Sequence, residues 1–346
     1  MDMRMKPTLL AMAIAATLSA CAIGPDYQRP VIDLPAGYAA APPQAVAALA
    51  APAWWSRFND PVLDRVMDEA LKNNLDLRVA AARVTEAQAQ LGLAISDQVP
   101  SVYVAGSRER NRNSESSGRS GPGQPVESTT NRLTLNVSWE INFWGKYRRA
   151  NEAARADLLS VEANRDGMRL LLSTQVAQGY FNLVALDAQI AATALAIERG
   201  QQALGLQQKR FDAGVISEFD FQQRSAEVDS ARAQLPPLQS RRGQQERALN
   251  VLLGRSPRTI MDGRVERSAA FNPVTAIVVP AGLPSELLLR RPDLVEAEQK
   301  LIASNARIGV ARAAFFPNIT LTGLLGSESS SLGDLFSGPA RIWNFA

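Results

Sequence analysis

Apolar side chains recur along this chain with two different periods, and the switches between them mark out its elements. Val62, Leu63, Val66, Met67, Ala70 and Leu71 repeat at helical spacing. They follow Asn59-Asp60-Pro61, a helix start with proline at the first helical position. Asn73-Asn74 interrupts this pattern, and Asp76 is placed as the cap of a second helix that runs to about Ser96 and stops before Pro100. Past Pro100 the period falls to two. Ser101–Ser107 is strand-like, and residues 108–130 read as a polar loop containing Gly118, Gly121, Pro122, Gly123 and Pro125. Leu133, Leu135, Val137, Trp139 and Ile141 then alternate with Thr134, Asn136, Ser138 and Glu140, which predicts a strand with one apolar and one polar face. A membrane-facing sheet and a half-buried sheet of a soluble protein both satisfy that alternation, and this segment alone favours the second.

From Lys146 to Asp212 there is no proline and helix formers dominate, so one helix about 100 Å long is predicted. Its apolar residues do not keep to one face. Val176, Ala177, Tyr180, Phe181 and Val184 form one stripe, and Leu172, Leu183, Leu186 and Ile190 widen it. Such a helix needs neighbours on more than one side, and no sustained heptad points to a dimeric coiled coil instead. Ala213-Gly214 stops it, and Ser217 caps a return helix from about Glu218 to Leu253 that Pro236-Pro237 should kink or break. The two helices form a long hairpin with a tight tip.

The pattern then begins again. Asp76-Leu77 and Asp293-Leu294 each open a helical run that ends at a proline, Pro100 and Pro317, 24 residues on. An offset of 217 also aligns Ala80 with Ala297, Gly92 with Gly309 and Gly106 with Gly323. Strand-like alternation follows Pro317, then a loop at 326–339 and the start of a further strand at Arg341. The chain thus divides into residues 1–20, 21–53, a first repeat at 54–254, a linker at 255–283 and an incomplete second repeat at 284–346. The counterpart of Lys146–Leu253 does not follow.

The amino terminus adds an address. Arg4 and Lys6 precede the short apolar run Leu9–Ala16, and Leu18-Ser19-Ala20-Cys21 places the only cysteine after small residues, as in a bacterial lipobox. Cleavage there would leave Cys21 to be acylated; a plain secretory signal is the alternative. Ala22 is not the aspartate associated with inner-membrane retention, which favours the outer membrane. Residues 31–52 are rich in alanine and proline and read as an extended tether. No later stretch is continuously apolar over 18 residues, so no transmembrane helix is predicted and any crossing falls to strands.

Composition mainly excludes. There is no histidine and a single cysteine, which removes disulfide frameworks, His/Cys zinc sites and Ser-His or Cys-His pairs. The formal charge of +3 is carried mostly by dispersed arginine, so nucleic acid is not a predicted partner. Asp212, Glu218 and Asp220 surround the hairpin tip, and Asp293, Glu296 and Glu298 open a helix; capping and dipole complementarity account for both groups without a metal. No catalytic constellation, nucleotide loop or cofactor site is predicted.

Taken together, Cys21-Ala22-Ile23-Gly24-Pro25-Asp26-Tyr27-Gln28-Arg29-Pro30, Trp54-Trp55 through Phe58 with Asp60-Pro61, Trp139-Glu140-Ile141-Asn142-Phe143-Trp144-Gly145, Arg291-Pro292-Asp293-Leu294 and Phe316-Pro317 resemble the outer membrane factor family, the TolC-like efflux lipoproteins. Asn142 stands where that family usually has aspartate. The resemblance implies an α+β fold in which long helical hairpins build a periplasmic tunnel and each subunit of a homotrimer gives four strands to a shared twelve-stranded barrel. It implies a passive exit duct in the outer membrane, extending into the periplasm and docking with a periplasmic adaptor (membrane fusion protein) and an inner-membrane pump. By the same resemblance Cys21 carries lipid, Arg210, Gly214, Val215, Ile216 and Ser217 form the adaptor-contact tip, and Leu133, Leu135, Val137, Trp139 and Ile141 face outer-membrane lipid. Pore-gating residues are expected in the absent second hairpin, and without it the 346-residue chain is expected not to close a tunnel by itself. An acylated helical scaffold lipoprotein and a non-functional remnant of a duct are the competing readings. Substrate, pump and adaptor identity are not legible.

Overall fold

The computed structural model describes residues 23–31, 53–114, 126–268 and 290–346. A short 3-10 turn, Trp54–Phe58, leads into α1 (Pro61–Asn73), α2 (Leu75–Ser96), β1 (Ser101–Arg112) and β2 (Glu127–Glu140). The long helix α3 (Lys146–Asp212) and its return α4 (Glu218–Leu252) follow, then α5 (Pro257–Asp262), α6 (Pro292–Ala313), β3 (Thr320–Ser329) and β4 (Arg341–Phe345). This is the α+β architecture the pattern predicts. The repeat is visible in the element bounds, because α2 and α6 are both 22 residues long and begin and end at the offset of 217.

The chain forms two compact units. One comprises residues 1–31, 85–160 and 297–346; the other comprises 32–84 and 161–296, so the boundaries fall inside α2, α3 and α6. In the first unit the strands form one antiparallel sheet ordered β1-β2-β3-β4. Its register pairs Leu135 with Val104 on one side and Leu325 on the other, and Leu325 in turn with Trp343.

The second unit is held by an apolar core in which Leu63, Met67, Val176, Tyr180, Leu183, Leu249 and Leu253 are fully buried. Asp60 caps α1 by accepting from the backbone N–H of Val62 and Leu63, which supplies partners for otherwise orphaned donors. Its second carboxylate oxygen accepts from the Tyr180 hydroxyl at 2.6 Å, and that hydroxyl accepts from the Ser268 N–H at 3.1 Å. Burial, reinforced by the Asp60 carboxylate, raises the Tyr180 pKa. Buried Asn250 donates to the Gly263 carbonyl and accepts from Arg255, which grips Glu69 with two hydrogen bonds. Gly254 has φ +67°, and a Cβ there would lie 2.2 Å from the Asn73 carbonyl oxygen, so glycine is required both for the turn and for the close approach.

Several expectations need correction. Asn74, not Asp76, caps α2: its side-chain oxygen accepts from the Leu77 N–H, while its amide donates to the Leu252 carbonyl. Asp76 sits in the first turn, where its charge suits the helix dipole. β1 and β2 extend into the stretch read as loop, reaching Arg112 and starting at Glu127, because Arg110 and Arg112 pair with Glu127 across the ladder. β3 likewise takes in Gly326–Ser329. α4 runs unbroken through Pro236 and Pro237. Arg232 and Ala233, whose carbonyls those prolines cannot satisfy, are exposed to water. α3 does contain a stretch whose mean hydropathy would suit a membrane span, although polar residues interrupt any continuous run. Most of that stretch is not buried in the protein, while Leu172, Val176, Tyr180 and Leu183 of the same helix belong to the core.

Candidate functional site

Strand alternation sorts the sheet into two chemically distinct faces. Register places Val102, Val104, Leu133, Leu135, Val137, Trp139, Leu321, Leu325, Trp343 and Phe345 on one face. The other carries Ser101, Tyr103, Thr134, Asn136, Ser138, Thr320, Thr322 and Asn344, with Leu324 and Ile342 as apolar members on β3 and β4. The apolar side chains are not covered: Val104, Leu325 and Trp343 are more than half exposed, Trp343 at 70%. A contiguous exposed patch of this kind marks an interaction surface, not a surface made for water. From Arg132 to Glu140 β2 covers roughly 27 Å at about 3.4 Å per residue, comparable with the ~25 Å apolar band of outer-membrane barrels. Four of the five strand residues singled out by alternation lie in β2. Ile141 lies just past its end, where its N–H still donates to the Ile319 carbonyl at 2.9 Å.

At the end of the strands where the helices attach, aromatic rings gather. Trp139 donates from its indole to the Gln98 carbonyl, Trp144 donates to the Pro317 carbonyl, and Trp144 stacks on Phe316 with centroids 4.7 Å apart. Rings with one apolar side and a satisfied polar tip suit a membrane–water boundary. Tyr147 donates to Glu140 at 2.6 Å, and burial, reinforced by that carboxylate, pushes its pKa up to about 12. Residues 23–31 are fastened beside this belt. Ile23 donates to the Trp144 carbonyl; Arg149, with its side chain almost buried, reaches Asp26 at 2.6 Å; Tyr27 and Arg29 both bind Glu298. Gly24, at φ +123°, approaches Gly309 so closely that a Cβ would lie 2.6 Å from its Cα. Cys21 itself lies outside the described residues.

The hairpin tip belongs to the other unit. Gly214 adopts φ +71°, its N–H donates to the Phe211 carbonyl, and the Val215 N–H donates to the Arg210 carbonyl, which closes α3. Ser217 and Asp220 then exchange hydrogen bonds in a capping box that starts α4. Phe211 and Phe221 stack across the hairpin at 5.5 Å. The tip residues Arg210, Gly214, Val215, Ile216 and Ser217 are therefore brought together on one reversal, with Val215 63% exposed. Sequence reading missed Phe219, which is 75% exposed in the first turn of α4 beside them. Its only signal in the sequence is its spacing of two from Phe221, which sets the two rings on different sides of a helix. Among the described residues no group of three His, Cys, Asp or Glu side chains is arranged to hold a metal ion.

Comparisons with known proteins agree on one family. The family model of outer membrane efflux proteins matches residues 66–255 and 283–346. The chain is 34% identical over 345 residues to the cation efflux system protein CusC of Escherichia coli, covering 97% of this chain and 72% of that protein. It is 35% identical over 351 residues to the probable efflux pump outer membrane protein TtgC of Pseudomonas putida, covering 99% and 71%. The crystal structure of the CmeC outer membrane channel of Campylobacter jejuni superposes with a TM-score of 0.83 at 29% identity, over 94% of this chain and 69% of that one.

Proposed function

The chain belongs to the outer membrane efflux protein family, and from that membership we propose how its surfaces serve an outer-membrane efflux duct. It is a channel component of an efflux system that works with partners in the inner membrane and periplasm. The observation that carries the detailed reading is the sheet. One face is apolar and exposed, and among the described residues the outer edges of β1 and β4 are unpaired. In lipid, unpaired strand edges cost several kcal/mol per backbone group, so the edges must meet strands of other subunits in a closed barrel. The proposed assembly is a homotrimer with Leu133, Leu135, Val137 and Trp139 toward lipid and Thr134, Asn136 and Ser138 toward the lumen.

Within that assembly the chain is a passive conduit and not an enzyme. An inner-membrane pump supplies the energy, and the periplasmic adaptor meets the tip formed by Arg210, Gly214, Val215, Ile216 and Ser217, to which Phe219 is added. Cys21 carries the lipid. Its position two residues before the strap at Ile23, which is tied to Trp144, would hold acyl chains beside the aromatic belt. The proposed domain division keeps 1–20 as signal, 21–53 as acylated tether, 54–254 and 284–346 as the repeats and 255–283 as linker.

Expression in an efflux-competent outer membrane tests both surfaces. Photocrosslinkers at Val215 and Phe219 should capture the adaptor, and a crosslinker at exposed Arg232 on α4 should not. Palmitate should label the wild type and not Cys21→Ser. Equal capture from all three positions would refute the tip, and equal labelling of both proteins would refute acylation.

A further inference from the structure

The apolar face of the sheet ends in cations. On β1 the residues that share it continue from Val102, Val104 and Gly106 to Arg108, Arg110 and Arg112. On β4 the same face begins at Arg341, opposite Ser327, and continues through Trp343 and Phe345. Glu127 offsets Arg110 and Arg112, at 2.8 and 3.4 Å. The other nearby carboxylates in the ladder, Glu109 and Glu328, have the opposite parity, and Glu328 is paired with Arg132. Arg108 and Arg341 are exposed and have no ion pair among the described residues. They sit on the outer strands, three strand spacings apart, on the order of 15 Å.

A groove adjoins Arg341. It has a volume of about 540 Å³ and is lined by Val104, Leu133, Leu135, Leu325 and Trp343, with Arg341 in the same wall. The register explains why it is concave: Gly106, Leu133, Ser327 and Arg341 form one cross-strand row, and two of its four members are small. An apolar trough that opens onto a guanidinium has the chemistry of a hydrocarbon chain joined to an anionic head. A neutral or zwitterionic lipid would leave both arginines without a net counter-charge. An anion alone would leave the trough unfilled.

We propose that this end of the sheet binds a phosphate-bearing, multiply acylated lipid of the surrounding leaflet. One acyl chain lies in the groove, and the phosphates rest on Arg341 and Arg108. The proposal depends on the reading that this face meets lipid, and it adds which lipid and which residues.

The test uses protein reconstituted in vesicles, with insertion scored first by protease protection of the strands. The probes are a diphosphorylated, multiply acylated disaccharide lipid, the same lipid stripped of phosphate, and inorganic phosphate as competitor, with lipid retention read by native mass spectrometry. Wild type should retain the diphosphorylated lipid about tenfold over the stripped one. The double variant Arg108→Gln/Arg341→Gln should lose that preference while still inserting, and the double lysine variant should keep most of it. Millimolar inorganic phosphate should not displace the lipid, because it cannot fill the groove. Insertion with equal retention of both lipids, an unaffected glutamine variant, or displacement by inorganic phosphate overturns this proposal alone. Failure of the wild type to insert overturns both it and the reading beneath it.

Discussion

The helical core around Tyr180 and the four-stranded sheet use the same apolar residue types in opposite ways. In the core, Leu63, Met67, Leu183 and Leu249 are sealed from solvent and the polar groups among them, Asn250 and the Tyr180 hydroxyl, find partners inside. In the sheet, Val104, Leu325 and Trp343 point away from any protein neighbour that would bury them, and Thr134, Asn136, Ser138 and Thr322 take the other face. Apolar area contributes to stability only when it leaves water. The first region finds a nonpolar environment within its own unit, and the second must find it in something else. The contrast separates what folds this chain from what inserts it.

The largest expected effect is in the core. Leu183→Ala should destabilise the helical unit by about 2–5 kcal/mol through lost burial and a residual cavity. Leu325→Ala should leave the same helical transition within about 0.5 kcal/mol, because no protein core depends on it. Urea unfolding followed by circular dichroism in detergent compares them, and equal losses would show that the sheet face is an ordinary core. The next effect should appear only in the membrane. Leu135→Lys places a charge near the middle of the apolar face, at a cost of about 2–4 kcal/mol in a bilayer. Folding in detergent should be nearly unchanged while insertion into vesicles falls. Full insertion by the lysine variant would show that this face does not meet lipid.

Much of the fold was legible because local chemistry and global fold agree. Pro61, Gly214, Ser217 and Gly254 act where backbone geometry demands them, and the period change after Pro100 marks a true change of element. Two of the misses share one cause: long-range pairing. Arg108–Arg112 looks like loop because the partner of Arg110 and Arg112 is Glu127, across the ladder, which no local pattern connects to them. Asn74 looks like an interruption because its second hydrogen bond reaches the end of α4. Of the candidate sites, alternation along β2 exposes the strand face, whereas the groove beside Arg341 needs four strands in register before it exists. Phe219 becomes visible as a surface residue only once the hairpin has placed it.

The strap at residues 23–31 belongs to neither regime, because it is held mainly by polar contacts, and it should show the smallest and most pH-dependent effect. Arg29 and Tyr27 converge on Glu298, and the Arg29 guanidinium holds that carboxyl below its ordinary value of 4.5. A lowered folded pKa means that the contact's contribution is complete above about 4.5 and is lost as pH falls through the lowered value. Arg29 is largely exposed, so solvent screens the pair and the loss should be modest. The other end of the strap is fixed differently, by an almost buried Arg149 that holds Asp26 and by the Ile23–Trp144 backbone bond. Acid should therefore loosen residues 27–31, while Ile23 stays in place through a backbone bond that carries no ionisable group. Hydrogen exchange or limited proteolysis at pH 7, 4.5 and 3 should show the release of that half of the strap, with the Ile23 amide still protected. In Glu298→Gln the same half should be loose at every pH, with a flat profile across the window. A Gln variant that kept the wild-type acid transition would place the titrating group elsewhere and leave the Glu298 contact without a role in holding the strap.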